Sequence, residues 1–577
     1  GITNENPTLI ANLYDDNGLV FTTLSDQTGN WTYPGATAGD LLRVEYSYPQ
    51  GYFPTKSSSL QSSTETSFIT APECCIDFGI NNNEDCVNDN PQVLMVCHVK
   101  CEAQYNNNPV IVSIMENDKG SSSTDINDWL ASNHPVEIPV SELGAIWGLA
   151  YNKYADVIYA GAKYMNLTNM GPGGTGAIYC IDNSTNDNTH ATVTGANISI
   201  LTTIPNAGTD PAGGVECGAT NDPIYMQYAD KIGLGDVDIN NNADTLYTVN
   251  LNTQELVVVP IDGCTAGTIQ TYALPTPSGT FSCSGDEIRP FGLKYYQGKV
   301  YVGAVCTGET TQSRDNLWAY VFEYTEGSRF NATPVIDFSL KFRRSGTNHI
   351  SSDGSQTDMD WLPWRDTWDA GNPIPDSLYR ENYDQVSYPQ AILSDIEFDH
   401  GDMILGFMDR FSDQFAYDED PSGYAASQGG TSTVGAVPAG DIVRAGYNGN
   451  NTWTIENNAS TSGSIAGNRQ TSGVNKQEGP GGGEYYFGDR YASAHEEITL
   501  GGIVTIPGRA EVVSSVFDPS GIYLEGSNDP RWASGGISWF VNRTGEQVAG
   551  WEGYWFTDFA FGKGNGFGDV EYISKGT

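Results

Sequence analysis

A chain of 577 residues with a formal net charge of −44 excludes nucleic acid and anionic membrane surfaces as partners, because both would repel it. Only 17% of its residues are charged, while Gly, Asn, Ser, Thr and aromatics abound. That is the composition of many short strands joined by turns, not of a helical protein. No apolar run is long enough to span a bilayer, and no repeat at 3.6 spacing is sustained.

The N-terminal stretch reads as a small antiparallel sandwich with turns about every ten residues. Thr8–Tyr14 alternates, Asp15-Asp-Asn-Gly18 turns, and Leu19–Leu24 runs back. Ser25–Gly29 turns again before Asn30-Trp-Thr-Tyr33. Leu41–Tyr48, a Pro49-Gln-Gly51 turn and Ile76-Asp-Phe-Gly79 follow. The opening Gly1-Ile-Thr-Asn reads as a processed start without a leader, and no C-terminal sorting signal is expected.

These pieces resemble SdrD B-like (Cna-B-like) domains, a prealbumin-like sandwich of bacterial surface proteins. The matching phrases are Leu13-Tyr-Asp-Asp-Asn-Gly18, Asp26–Tyr33, the strand from Gly39 to Val44, Pro49-Gln-Gly51 and Asp77-Phe-Gly79. Such domains begin with a further Gly-led strand and an acidic calcium loop, neither of which precedes Thr8. The resemblance therefore implies an unpaired edge, open to strand addition from a neighbouring subunit. A homo-oligomer or filament is the expectation, with a monomer whose edge is capped as the alternative.

Residues 81–135 hold two strand candidates, Val93–Val99 and Val110–Ile114. From residue 136 a phrase recurs, as Ile146-Trp-Gly-Leu-Ala-Tyr151, Gly233-Leu-Gly-Asp-Val-Asp-Ile239 and Pro290-Phe-Gly-Leu-Lys-Tyr295. It returns as Leu393-Ser-Asp-Ile-Glu-Phe398, Gly501-Gly-Ile-Val-Thr-Ile506 and Gly566-Phe-Gly-Asp-Val-Glu571. Irregularly spaced multi-strand units predict a β-propeller over 136–577, with six blades favoured and seven the alternative. The last phrase has no strands after it, so closure is expected to borrow Val93–Val99 and Val110–Ile114. The whole is read as an all-β chain, a sandwich over 1–80 plus the propeller. The combination resembles large, little-characterised bacterial secreted proteins, which implies an extracellular or cell-surface location and no particular reaction.

Three phrases carry acid pairs: Asp236/Asp238, Asp395/Glu397 and Asp569/Glu571. Residues i and i+2 of a strand share a face, so six carboxylates could converge on a central channel. Calcium, which takes six to eight oxygens, is one expected way to hold them, and backbone N–H bonds from adjacent strands are the other. Asp236-x-Asp238-x-Asn240-x-Asn242-x-Asp244 has a calcium-loop look but lacks the Gly and Glu of an EF-hand.

Enzyme signatures are thin. The six histidines form no zinc motif, and no catalytic residue is assigned. The competing function is a glycosidase or lyase that uses the paired carboxylates as acid and base, or a carbohydrate-binding protein, with the long loop of Asp358, Asp360, Trp361, Trp364, Asp366 and Trp368 offering aromatics to stack on glycans. Ten cysteines, all before residue 307, read as disulfides in an oxidising compartment, although Cys97-x3-Cys101 has zinc-pair spacing. Sequons at Asn30, Asn166, Asn183, Asn197, Asn331, Asn450, Asn458 and Asn542 accord with secretion.

Overall fold

In a computed structural model, the chain is described at residues 9–25, 31–48, 52–55, 66–73, 78–82, 87, 89–122, 126–184, 191–192, 197–211, 226–327, 329–344, 359–368, 379–380, 385–415, 435–461, 478–491, 495–519, 534–555, 560–562 and 564–574. Cys74, Cys75, Cys86, Cys217, Asp358, the Pro49-Gln-Gly51 turn and most of Asp26–Tyr33 lie outside these residues.

The first sheet follows from alternation. β1 (Ile10–Asp15) lies between β2 (Gly18–Leu24) and β3 (Leu41–Ser47), and Thr66–Thr70 pairs with β3 on its far side. Ala11, Leu13, Leu42, Val44 and Tyr46 share the inward face, with Phe21, Trp31, Tyr33 and Phe78 packed against them. Burying each of the larger side chains contributes about 1.5–3 kcal/mol. β2 differs: Leu19, Val20 and Leu24 are all exposed along it.

Six sheets of four or five strands form the body that follows, antiparallel except where the short strands Ala191–Thr192 and Asn127–Asp128 add on in parallel; one three-stranded and two two-stranded sheets accompany them among the described residues. Their first strands are Ile146–Asn152, Leu234–Ile239, Ile288–Tyr296, Ala391–Asp399, Thr499–Thr505 and Phe567–Ile573. Each packs against the next, and the last against the first, which makes the fold propeller-like. Phe567–Ile573 takes its partner from far back in the chain. It pairs antiparallel with Gln92–Cys97, which pairs with Pro109–Met115, itself followed by Val136–Pro139. The second strand Asp402–Asp409 is buried along its whole length, so it reads as a continuous apolar run bounded by acids.

Two disulfides have both cysteines among the described residues. Cys180–Cys264 joins strand Ala177–Asp182 to the turn after Glu255–Asp262, in the following sheet, while Cys283–Cys306 closes a shorter loop. Cys97 is a free, buried thiol and Cys101 is disulfide-bonded, so the two do not form a zinc pair. No helix among the described residues is long and apolar enough to cross a membrane.

Candidate functional site: the axis of the ring

The sheet-to-sheet spacing along the axis is set by what stands in the middle of each first strand. Gly148, Gly292 and Gly502 occupy equivalent places in alternate strands. A Cβ on Gly148 would meet Val237 N at 2.3 Å, and one on Gly292 would meet Asp395 N at 2.6 Å. On Gly502 it would meet Gly568 O at 2.3 Å. The glycines therefore let three strands butt directly against the backbone of the strand that follows.

The intervening strands carry the acids. Asp236 accepts Val237 N at 2.7 Å on one oxygen and Leu293 N at 3.0 Å, from the next strand, on the other. Asp395 repeats this with Ile396 N at 2.7 Å and Ile503 N at 2.8 Å. Asp569 does so with Val570 N and Leu149 N, both at 2.7 Å. Each acid thus latches its strand onto the next one around the ring. All three are buried, and burial holds their carboxyls well above the usual range, reinforced by the charge of Asp395 on Asp236 and of Asp236 and Asp395 on Asp569.

One layer along lie Asp238, Glu397 and Glu571. Asp238 accepts Ile239 N at 2.7 Å and Tyr295 N at 2.6 Å, and Glu571 accepts Tyr572 N at 2.7 Å. Glu397 takes Lys294 Nζ at 2.7 Å and Thr505 Oγ1 at 2.8 Å. Burial raises all three acids, Glu571 to about 7, with the Lys294 ammonium opposing it. Burial alone would lower Lys294, but Asp238, Glu397 and Glu571 outweigh it and hold its ammonium well above the usual lysine range. The chain thus supplies positive charge to this layer itself. Lys294 stands two residues after Gly292 and so shares its face. That i+2 spacing was the available signal for it, and reading only the acids missed it.

A second buried cluster had no signal in sequence. Lys163 Nζ lies 2.5 Å from Asp413 Oδ2 and 3.4 Å from Asp230 Oδ1, and 4.3 Å from the centre of the Trp147 ring. Asn565 Nδ2 donates to the other Asp413 oxygen at 2.7 Å. Asp413 comes from the helix Arg410–Phe415, whose side chains are all buried. His98, between Asn565 O and Ile146 O, is lowered to about 4 by burial and by Lys163, so it is neutral.

The aromatics proposed to stack on sugars are structural. Trp361, Trp364 and Trp368 are at most 1% exposed. A guanidinium covers each ring: Arg344 at 3.7 Å, Arg410 at 4.5 Å and Arg365 at 4.4 Å. The loop after Asp238 closes on itself, with Asn240 Oδ1 accepting Asp244 N and Thr245 N. Of the sequons, Asn166, Asn183 and Asn542 are buried, whereas Asn331 and Asn450 are exposed.

No family model matches the chain. Curated relatives do. The chain is similar to the colossins. It is 26% identical to colossin-A of Dictyostelium discoideum over 593 residues, covering 96% of this chain and 5% of that protein. It is 25% identical to colossin-C and 23% to colossin-D of the same organism, covering 51% and 54% of those proteins. The chain therefore spans about half or less of the curated relatives it matches.

Among solved structures, a putative 6-phosphogluconolactonase from Bacteroides uniformis aligns over 84% of this chain and all of its own, at 10% identity and TM-score 0.34. TolB from Acinetobacter baumannii covers 84% of this chain and 66% of its own, at 7% and 0.30. Likenesses at these scores do not extend to chemistry.

Proposed function

We propose that this chain is a non-catalytic structural or adhesive protein of an extracellular surface. In this reading an SdrD B-like sandwich over 1–80 leads through 81–135 into a six-bladed propeller over 136–577, closed by strands of the connecting segment. The observation that carries it is how the axial acids are used. A general acid or base needs an oxygen within reach of substrate, whereas both oxygens of Asp236, Asp395 and Asp569 accept strand N–H groups inside the ring. The disulfides accord with an oxidising compartment.

Assembly would proceed through β2. It pairs only with β1 among the described residues and exposes Leu19, Val20 and Leu24, so it is a template for a strand of a second copy. Light scattering and negative-stain micrographs of the purified chain test this. Concentration-dependent assemblies that Val20→Lys disperses are expected, and a wild-type chain that stays monomeric at all concentrations would refute assembly. A glycan-degradation screen tests the competing polysaccharide-active enzyme. Turnover abolished by Asp395→Asn in a folded protein would overturn the non-catalytic reading.

A further inference from the structure

Four acids meet where the segment 478–491 folds back against the ring. Asp441 opens strand Asp441–Tyr447, Glu484 and Asp489 come from the segment itself, and Glu497 precedes strand Thr499–Thr505. One carboxylate oxygen from each lies within 4.8 Å of the others, and the four residues are 1–7% exposed.

Arg344 reaches two of them, with Nε 3.2 Å from Asp441 Oδ2 and Nη2 2.9 Å from Glu497 Oε2. The same Nη2 also donates to Ala439 O and Gly440 O. One guanidinium shared in this way does not neutralise four carboxylates. Asp489 adds a second, independent sign. It is 1% exposed, and its Oδ2 accepts no hydrogen bond. A buried carboxylate oxygen without a donor is costly unless something outside the chain satisfies it.

We propose that Asp441, Glu484, Asp489 and Glu497 hold one calcium ion, which pins the 478–491 segment to two successive sheets. The donors are all oxygen, which selects a hard cation over zinc or copper. Calcium suits them better than magnesium, because magnesium keeps several waters and demands a near-octahedral shell. The site is separate from the axial acids, whose oxygens serve the strands and Lys294.

The test uses the whole protein, stripped with EDTA and titrated with calcium chloride by calorimetry at about 0.15 M salt, which screens the surface acids. Thermal unfolding with and without the ion is measured alongside. One saturable site per chain is expected, at about 10⁻⁴ M or tighter, with a higher Tm in calcium. Asp489→Asn should weaken that site at least about thirtyfold while raising the Tm of the metal-free protein, because it removes an unpaired buried charge. Glu484→Gln should act in the same direction and decides the matter if Asp489→Asn does not fold. No saturable binding by the wild-type chain below about 1 mM would overturn the proposal. So would calcium affinity kept in either variant, or lost in Asp569→Asn instead, which would place the ion on the axis.

Discussion

Replacing Lys294 with Met removes the ammonium that Asp238, Glu397 and Glu571 surround, while keeping much of the side-chain volume. Lys294 Nζ is 2.7 Å from Glu397 Oε1, and the two side chains are 23% and 5% exposed. Breaking one member of a buried pair costs about 3–5 kcal/mol, because the other charge stays behind unpaired. Taking the 577-residue chain as one cooperative unit, the entropy of unfolding is about 1.2 kcal/mol/K, so Tm should fall by about 2.5–4 °C at pH 8. At pH 5 the orphaned acids can take up protons in the folded state, and the loss should shrink by at least half. Calorimetric unfolding at the two pH values reads both effects. Adding Glu397→Gln to Lys294→Met should recover stability at pH 8, since it removes the charge left unpaired. An equal loss at both pH values, or a double variant whose loss is the sum of the singles, would refute the idea that Lys294 acts as a buried counter-charge.

Gly292→Ala should destabilise by about 3 kcal/mol or more in urea unfolding, because its Cβ would meet backbone that cannot yield, at 2.6 Å. Cys180→Ser with Cys264→Ser opens a link 84 residues apart and should cost about 4.5 kcal/mol on the chain-entropy account; thermal unfolding of the oxidised proteins measures it. Asp409 is raised to about 7 by burial, against N–H bonds from Gln390, Phe411 and Ala439. Its folded value exceeds its unfolded one, so its contribution to stability is full below about pH 4 and is lost as pH rises through 7. Asp409→Asn should therefore flatten the decline of unfolding free energy between pH 4 and 7, by up to about 1.4 kcal/mol per unit. An unchanged slope would show that Asp409 is already ionised in the folded protein.

The recurring phrase made the ring strands legible, because two buried faces and a close approach demand small and apolar residues at fixed places. Ile146–Asn152, Leu234–Ile239 and Phe567–Ile573 all lie where that phrase stands. The acid pairs were legible as a group, but their partners were not: Leu293 N and Ile503 N belong to strands whose register against Asp236 and Asp395 is set only by the closed ring. Lys163, Asp230 and Asp413 come from three places with no shared spacing, and only the tertiary fold assembles them. The tryptophans misled for a related reason. A Trp-rich stretch looks the same whether its rings face sugar or guanidinium, and Arg344 and Arg410 reach Trp361 and Trp364 from distant positions.

The sheet that joins the two ends of the ring also determines how the protein would answer to pulling. In the antiparallel pair of Gln92–Cys97 with Phe567–Ile573, Gln92 stands opposite Ile573. Force entering through both flanks of the chain would arrive at the same end of that pair. Its hydrogen bonds would then be loaded one after another, as in a zipper, and not all at once, as in shear. The ring would yield at that sheet under low tension, with the Asp569 bond to Leu149 N as the next thing to give.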